Sequence, residues 1–112
     1  MVGDHQFHRG YSLLLLKEHI TELHELAPDA ATEYFGELGR AGQAVASAFR
    51  PVKLNYACYG NTEPHVHWHI IPRYADDPDK HRHPWLHADR FQKRLIGEDE
   101  ARVLAAQLRA SL

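Results

Sequence analysis

Three histidines occupy alternate positions, His65, His67 and His69, inside the segment HVHWHIIPR that runs from His65 to Arg73. In an extended chain alternate side chains point to the same side. The three imidazoles then share one face, while Val66, Trp68 and Ile70 pack into the core behind them. As pure structure this row is hard to explain: imidazoles fit poorly in an apolar interior, and protonated ones repel each other. A single histidine there reads as a satisfied bystander, but three in register read as a site.

Two chemistries want such a row. The first is metal binding, since two imidazoles in an HxH pair on a strand can reach one ion. At ~3.3 Å per residue the outer two Cα atoms lie ~13 Å apart, so with metal–nitrogen bonds of about 2.0–2.1 Å a metal would use two of the three. Further ligands would come from elsewhere, with His81, His83 and His87 as candidates. The second is phosphoryl or nucleotidyl transfer, in which a neutral imidazole attacks phosphorus while neighbouring donors bind the phosphate oxygens. Here the third histidine also has a task. A partner on the other ring nitrogen must fix the tautomer of the attacking one.

The elements that would position this row are legible from patterning. Residues Tyr11 to Lys17 (YSLLLLK), opened by Gly10, read as a short strand buried on both faces. Thr21 to Leu26 fits a single helical turn with Thr21 as cap. Pro28 suits a first helical position. From there Ala31, Tyr34, Phe35, Leu38, Ala41, Val45, Ala48 and Phe49 recur at spacings of three and four, describing an amphipathic helix that Pro51 ends. Gly36, Gly39 and Gly42 weaken that helix or let it approach a sheet closely. Leu54 to Tyr59 reads as a second strand and Gly60–Asn61 as a turn, so that a hairpin leads antiparallel into the histidine strand. Residues 74 to 90 read as an irregular loop. A final helix starts near Glu98 and is expected to bury Val103, Leu104, Leu108 and Leu112.

Length and composition set the bounds. A chain of 112 residues fits one domain spanning 1–112, with a core modest enough to gain from burial in an oligomer. Hydrophobic residues at 44% and charged residues at 25% are ordinary for a globular domain. Thirteen Lys and Arg against fifteen Asp and Glu leave a formal charge of −2, which argues against a bulk nucleic-acid binder. The single cysteine, Cys58, excludes an intrachain disulfide and a multi-cysteine zinc site. The longest apolar run, Leu13 to Leu16, is too short to span a bilayer, and no basic stretch followed by an apolar one opens the chain. No membrane association is expected, and cytoplasm is the expected compartment.

The run His65-Val66-His67-Trp68-His69-Ile70-Ile71 matches His-φ-His-φ-His-φ-φ, with φ apolar, at all seven positions, and continues into Pro72-Arg73. In this the chain resembles the histidine triad (HIT) superfamily of nucleotide hydrolases and transferases. The resemblance extends roughly from Asp4 to Trp85 and follows the family's order of strand, long helix, hairpin and triad. It implies an α+β, HIT-like domain with a mostly antiparallel sheet, one long helix and a C-terminal helix, assembled as a homodimer. It also implies that His67 attacks the α-phosphorus of a purine nucleotide derivative, forming a nucleotidyl-histidine that water cleaves. His69 would bind an α-phosphate oxygen or steer the leaving group, and His65 would orient the row. Asn55 stands where the family has an Asn or Gln facing the substrate. Asn61 and Thr62 stand where relatives carry Gln followed by Ser or Thr, with Thr62 touching the leaving group or phosphate. Asp4 corresponds to a ribose contact. No cofactor and no metal is implied.

The departures bear on specificity. Tyr11 replaces a fourth histidine that supports the central one in many relatives, Asn61 is shorter than the usual Gln, and the cysteine pairs that bind structural zinc in some members are absent. For His5, His8, His24 and the 81–87 histidines, solvated surface is the expectation, and surface charge for Arg73 and Arg82. Trp85 is expected either to close the site from a partner subunit or to pack within its own loop. Two rival readings stand beside the nucleotide enzyme: a metal-dependent or metal-binding protein using the histidine cluster, and a nucleotide-binding sensor that turns over slowly because of Tyr11 and Asn61.

Overall fold

The computed structural model describes residues 1–87 and 94–112. It is an α+β arrangement in which three antiparallel strands, β1 (Ser12–Leu15), β2 (Lys53–Ala57) and β3 (His67–Arg73), form a sheet in the order β1-β3-β2. The histidine strand is therefore central. Leu13 and Ala57 flank His69, and Leu15 lies opposite His67.

The period-two alternation of β3 sorts its side chains between the faces. Ile70 turns to the helices and joins a core with Leu38, Val45 and Phe49 of α1 (Pro28–Phe49) and Leu104 of α2 (Glu98–Arg109). Leu14, Leu54 and Trp68 pack against that core. On the opposite face, Ile71 is fully buried with Tyr11, and Leu13 and Trp85 close over them. Among the described residues α1 and α2 thus cover one face, leaving the odd-numbered face of β3 for the site.

α1 starts on Pro28, whose missing N–H falls where no intrahelical partner exists anyway. It ends at Arg50, which adopts a left-handed conformation (φ 51°) and bonds back to the Ala46 carbonyl ahead of Pro51. Of its three spaced glycines, only Gly42 is a close approach: a Cβ there would collide with the Tyr56 hydroxyl, whereas none of Gly39's surroundings comes within 4 Å. α2 carries Glu98, Asp99 and Glu100 in its first turn and Arg109 in its last, each sign matched to the helix dipole.

Several expectations are corrected. β1 is an edge strand rather than one buried on both faces, with Leu15 45% exposed. The run of leucines supplies one side chain to each face in turn and not a double burial. Val103 and Leu112 are exposed, since only the Leu104–Leu108 stripe of α2 meets the core. Phe35 is also exposed, although its ring makes an edge contact with Trp68. Thr21 does not cap a helix; the short 3-10 turn is Leu23–Glu25, preceded by Glu22. β2 ends at Ala57 and β3 begins at His67, so the hairpin is joined by residues 58–66 instead of a tight turn. Of the 74–90 loop, residues 84–87 form a further 3-10 turn, and 88–90 lie outside the described residues.

Candidate active site

His67 sits at the start of β3 with its Nδ1 2.6 Å from the His65 carbonyl. A carbonyl oxygen can only accept, so Nδ1 carries the ring proton and donates it there. Nε2 is left with a free lone pair. The same backbone that brings His65 ahead of the strand thereby sets the tautomer of His67.

His69 has the complementary arrangement. Its Nδ1 lies 2.6 Å from the Tyr11 hydroxyl. Burial, and then the charge of Asp4, pushes the Tyr11 phenol up to about 12. Burial, and then the neighbouring His67, brings His69 down to about 4. Near neutrality both are uncharged, and with the phenol as donor to Nδ1 the proton of His69 resides on Nε2. The two rings lie side by side, 4.9 Å between centroids at 69°. A lone pair and an N–H donor therefore stand next to each other, which is the pairing that attack on a phosphate ester needs.

These two rings line a cavity of about 500 Å³ together with the Gly60–Glu63 turn, Tyr59 and Trp85. The turn is placed by Gly60, whose φ of 73° is left-handed, a conformation glycine adopts without penalty. Asn61 and Thr62 are thus brought to the histidines, as their positions in the sequence suggest. His65 is set apart. It precedes β3, its Nε2 donates to the Leu16 carbonyl at 2.6 Å, and it lines a second cavity of about 200 Å³ with Leu13, Leu15, Glu63 and His67. The Val66 N–H just ahead of β3 bonds to the Ile20 carbonyl, and the Val66 carbonyl accepts from the Leu16 N–H.

Other residues fall elsewhere. Asn55 turns its Oδ1 to Arg73, 3.1 Å from Nη1, and is not among the residues around either cavity. Asp4 is exposed, and its charge bears on Tyr11. Tyr11 is buried behind His69 rather than facing a substrate, and the ring it supports is His69, not the central His67. Trp85 reaches the site within its own chain, its ring edge-on to His69 at 5.2 Å. Among the described residues, no three His, Cys, Asp or Glu side chains converge to hold a metal ion. His81 and His83 are exposed, and the His87 side chain lies outside what is described.

Two expectations of surface residues are overturned. Arg73 is 1% exposed. Its Nε donates to Asp77 at 2.7 Å, Nη1 to Asn55 and, at 2.5 Å, to the Arg82 carbonyl, and Nη2 to the Asp79 carbonyl. His8 is buried as well, 3.6 Å from the Asp77 carboxylate; burial lowers its pKa more than that carboxylate raises it. A guanidinium is sequestered without penalty only when its donors find acceptors, and the 77–82 segment supplies them by wrapping over β3. The signal for Arg73 is present in the sequence, since it continues the odd-numbered face of His67, His69 and Ile71. Gln6 gives no such signal. It is fully buried, donating to the carbonyls of Gly3 and Tyr11 and accepting from the N–H of Gly10, so that it shapes the loop delivering Tyr11.

Known proteins share this fold. The family model for the HIT domain matches residues 5–76, more than half of the chain. A curated relative, Protein hit of Bacillus subtilis (strain 168), is 32% identical over 75 residues, covering 62% of this chain and 52% of its own. The chain thus spans about half the length of that relative. Among solved structures, a histidine triad protein from Sinorhizobium meliloti 1021 superposes with a TM-score of 0.79 at 24% identity, covering 91% of this chain and 74% of that one. A histidine triad protein from Bradyrhizobium japonicum gives 0.77 at 25% identity, with 90% and 74% covered. The chain belongs to the HIT family.

Proposed function

We propose that this protein hydrolyses or transfers at the α-phosphate of a purine nucleotide derivative, a dinucleoside polyphosphate or an AMP conjugate, through a nucleotidyl intermediate on His67. The observation that carries the reading is that His67 and His69 line one cavity, each with its Nδ1 engaged elsewhere, His67 on the His65 carbonyl and His69 on the Tyr11 hydroxyl. The His67 Nε2 attacks phosphorus, the bond to the leaving group breaks, and the leaving group departs with its electron pair and takes up a proton. The positive charge gained by the imidazole is eased by its Nδ1–H bond to the His65 carbonyl. His69 Nε2–H and the Thr62 hydroxyl are the donors for the phosphate oxygens. Water then attacks phosphorus, expels Nε2 and leaves the nucleoside monophosphate.

The assembly we propose is a homodimer. β2 is a sheet edge, with Tyr56 44% and Val52 64% exposed beside it, and an open apolar edge invites pairing. Light scattering at micromolar concentration should then give about twice the 12.9 kDa chain mass.

The mechanism is tested by rapid quenching, without acid, of the wild type with a nucleotide conjugate labelled in its nucleoside. Label should appear on His67 as an acid-labile, base-stable phosphoramidate. His67→Ala should lose turnover by several orders of magnitude, while AMP affinity changes by no more than about tenfold. Wild-type turnover in His67→Ala would overturn the reading.

A further inference from the structure

His67 is the one triad ring that borders both cavities, and Glu63 borders both with it. Among the described residues, Glu63 is the only acidic one around either cavity, and neither is bordered by a lysine or arginine. His67 attacks as a neutral ring. His69, brought down to about 4 by burial and then by His67, is uncharged near neutrality. Arg73 lies further along the same face of β3, but it is enclosed, and its charge is matched by the Asp77 carboxylate at 2.7 Å. Among the described residues, the reacting centre therefore lies in the field of one carboxylate with no free cation at its walls.

That residue is placed by the backbone of the site itself. The Glu63 carbonyl accepts from the His65 N–H at 2.8 Å, and the His65 carbonyl accepts from Nδ1 of His67 at 2.6 Å. Two successive hydrogen bonds thus tie the Glu63 backbone to the attacking ring. Pro64, between them, disfavours helical backbone at Glu63. A glutamate on an exposed turn is ordinarily solvated charge, but this one keeps its station beside the bond that breaks. The two substrate classes differ in the charge they present there. When an anhydride bond of a polyphosphate breaks, the departing phosphate chain gains negative charge. When a phosphoramidate P–N bond breaks, the nitrogen leaves with the electron pair, takes up a proton from solvent, and becomes an amine that is an ammonium near neutrality. A carboxylate opposes the first departure and assists the second.

We propose that Glu63 is a specificity-determining residue, whose charge selects nucleotide conjugates with an amine leaving group, above all one bearing a further positive charge, and discriminates against polyphosphate chains. The inference rests on the histidine mechanism above and chooses between the two substrate classes named there.

The test uses AMP phosphoramidates that differ in leaving-group charge and little in shape. Trimethylammonioethylamine and neohexylamine are isosteres, a cationic nitrogen in one standing for a carbon in the other, and β-alanine supplies an anion. Diadenosine tetraphosphate serves as the polyphosphate. For wild type, Glu63→Gln and Glu63→Lys, kcat/KM on each substrate is divided by that on the neutral amine conjugate. Comparing this ratio between enzymes cancels the intrinsic reactivity of the leaving groups. Glu63→Gln should lower the ratio for the cation by about tenfold and raise those for β-alanine and the tetraphosphate by about as much. Glu63→Lys should carry all three further in the same directions. The differences should shrink in about 1 M salt, where the Debye length falls to about 3 Å. Ratios that agree within about twofold across the three enzymes would overturn the inference. Labelling of His67 in the wild type is read separately. Label with unshifted ratios sinks the role of Glu63 alone, whereas no label and no turnover of any substrate sinks the histidine mechanism and this inference with it.

Discussion

The Tyr11 hydroxyl lies 2.6 Å from Nδ1 of His69, joining residues 58 positions apart in the chain. The phenol is protonated near neutrality, and with it as the donor the proton of His69 is kept on Nε2. Tyr11→Phe removes the hydroxyl from Nδ1 of His69. The buried Nδ1 then loses its partner, a loss worth about 1–3 kcal/mol of stability. The tautomer is also no longer fixed, so turnover of an AMP phosphoramidate should fall by roughly tenfold or more with AMP affinity nearly unchanged. Tautomer-sensitive nitrogen shifts of His69 should report a mixture in the variant and one form in the wild type.

The pH behaviour of the same ring follows from its burial. His69 titrates at about 4 in the fold against 6.5 when unperturbed. Between these values the unfolded chain binds more protons than the folded one, so stability falls as pH drops through this window and levels off below it. Above 6.5 the His69 contribution is complete. In an NMR titration the His69 ring signal should stay in its neutral position down to about pH 4. A midpoint near the unperturbed value would show that Tyr11 and Trp85 do not shield the ring from water.

The sheet, the long helix and the shared cavity of His67 and His69 are legible in the sequence because each rests on local periodicity. The helix reads from Pro28 to Phe49 through apolar spacing of three and four, and the odd-numbered face of β3 reads from alternation. What is not legible depends on partners distant in the chain. Asn55 reads as a substrate contact, yet Arg73, eighteen positions on, takes its Oδ1. Arg73 reads as surface charge although it continues the buried odd-numbered face of β3, because its four acceptors come from β2 and from the 77–82 segment rather than from its own strand. His65 keeps its place in the motif but lies two positions ahead of β3. Tyr11 stands where relatives have a histidine that supports the central one, and here its hydroxyl meets His69.

Two glycine substitutions should have opposite signs. Gly39 lies on the exposed side of α1, and an added Cβ would meet nothing within 4 Å. Gly39→Ala should raise stability by about 0.5–1 kcal/mol, through lower backbone entropy in the unfolded chain. Gly10 has a φ of 89° and a Cβ there would lie 2.5 Å from the Phe49 ring. Gly10→Ala should cost about 1–3 kcal/mol from the strained backbone alone, with further loss as Phe49 is displaced from the core and Tyr11 from His69. Denaturant midpoints of the two variants against wild type measure both.

Arg73 distinguishes a positioned loop from a merely packed one. Its guanidinium uses Nε, Nη1 and Nη2 on four acceptors, two of them backbone carbonyls of the segment leading to Trp85. Hydrogen bonds from that guanidinium and from the Asp79 backbone hold the Asp77 carboxyl below its ordinary range, although burial alone works in the other direction. Arg73→Met leaves the Asp77 carboxylate and the carbonyls without donors in a buried place, and breaking a buried pair from one side costs on the order of 3–5 kcal/mol. Arg73→Lys should recover only a small part. An ammonium is a single point of charge and cannot span acceptors on both β2 and the 77–82 segment, as a planar fork does. Asp77→Asn keeps an acceptor for Arg73 and removes the charge, so its loss should be smaller than that of Arg73→Met. In thermal unfolding the order of stability should be wild type, Asp77→Asn, Arg73→Lys, Arg73→Met. If Arg73→Lys unfolds with the wild type, the fork geometry is not what fastens the loop that carries Trp85.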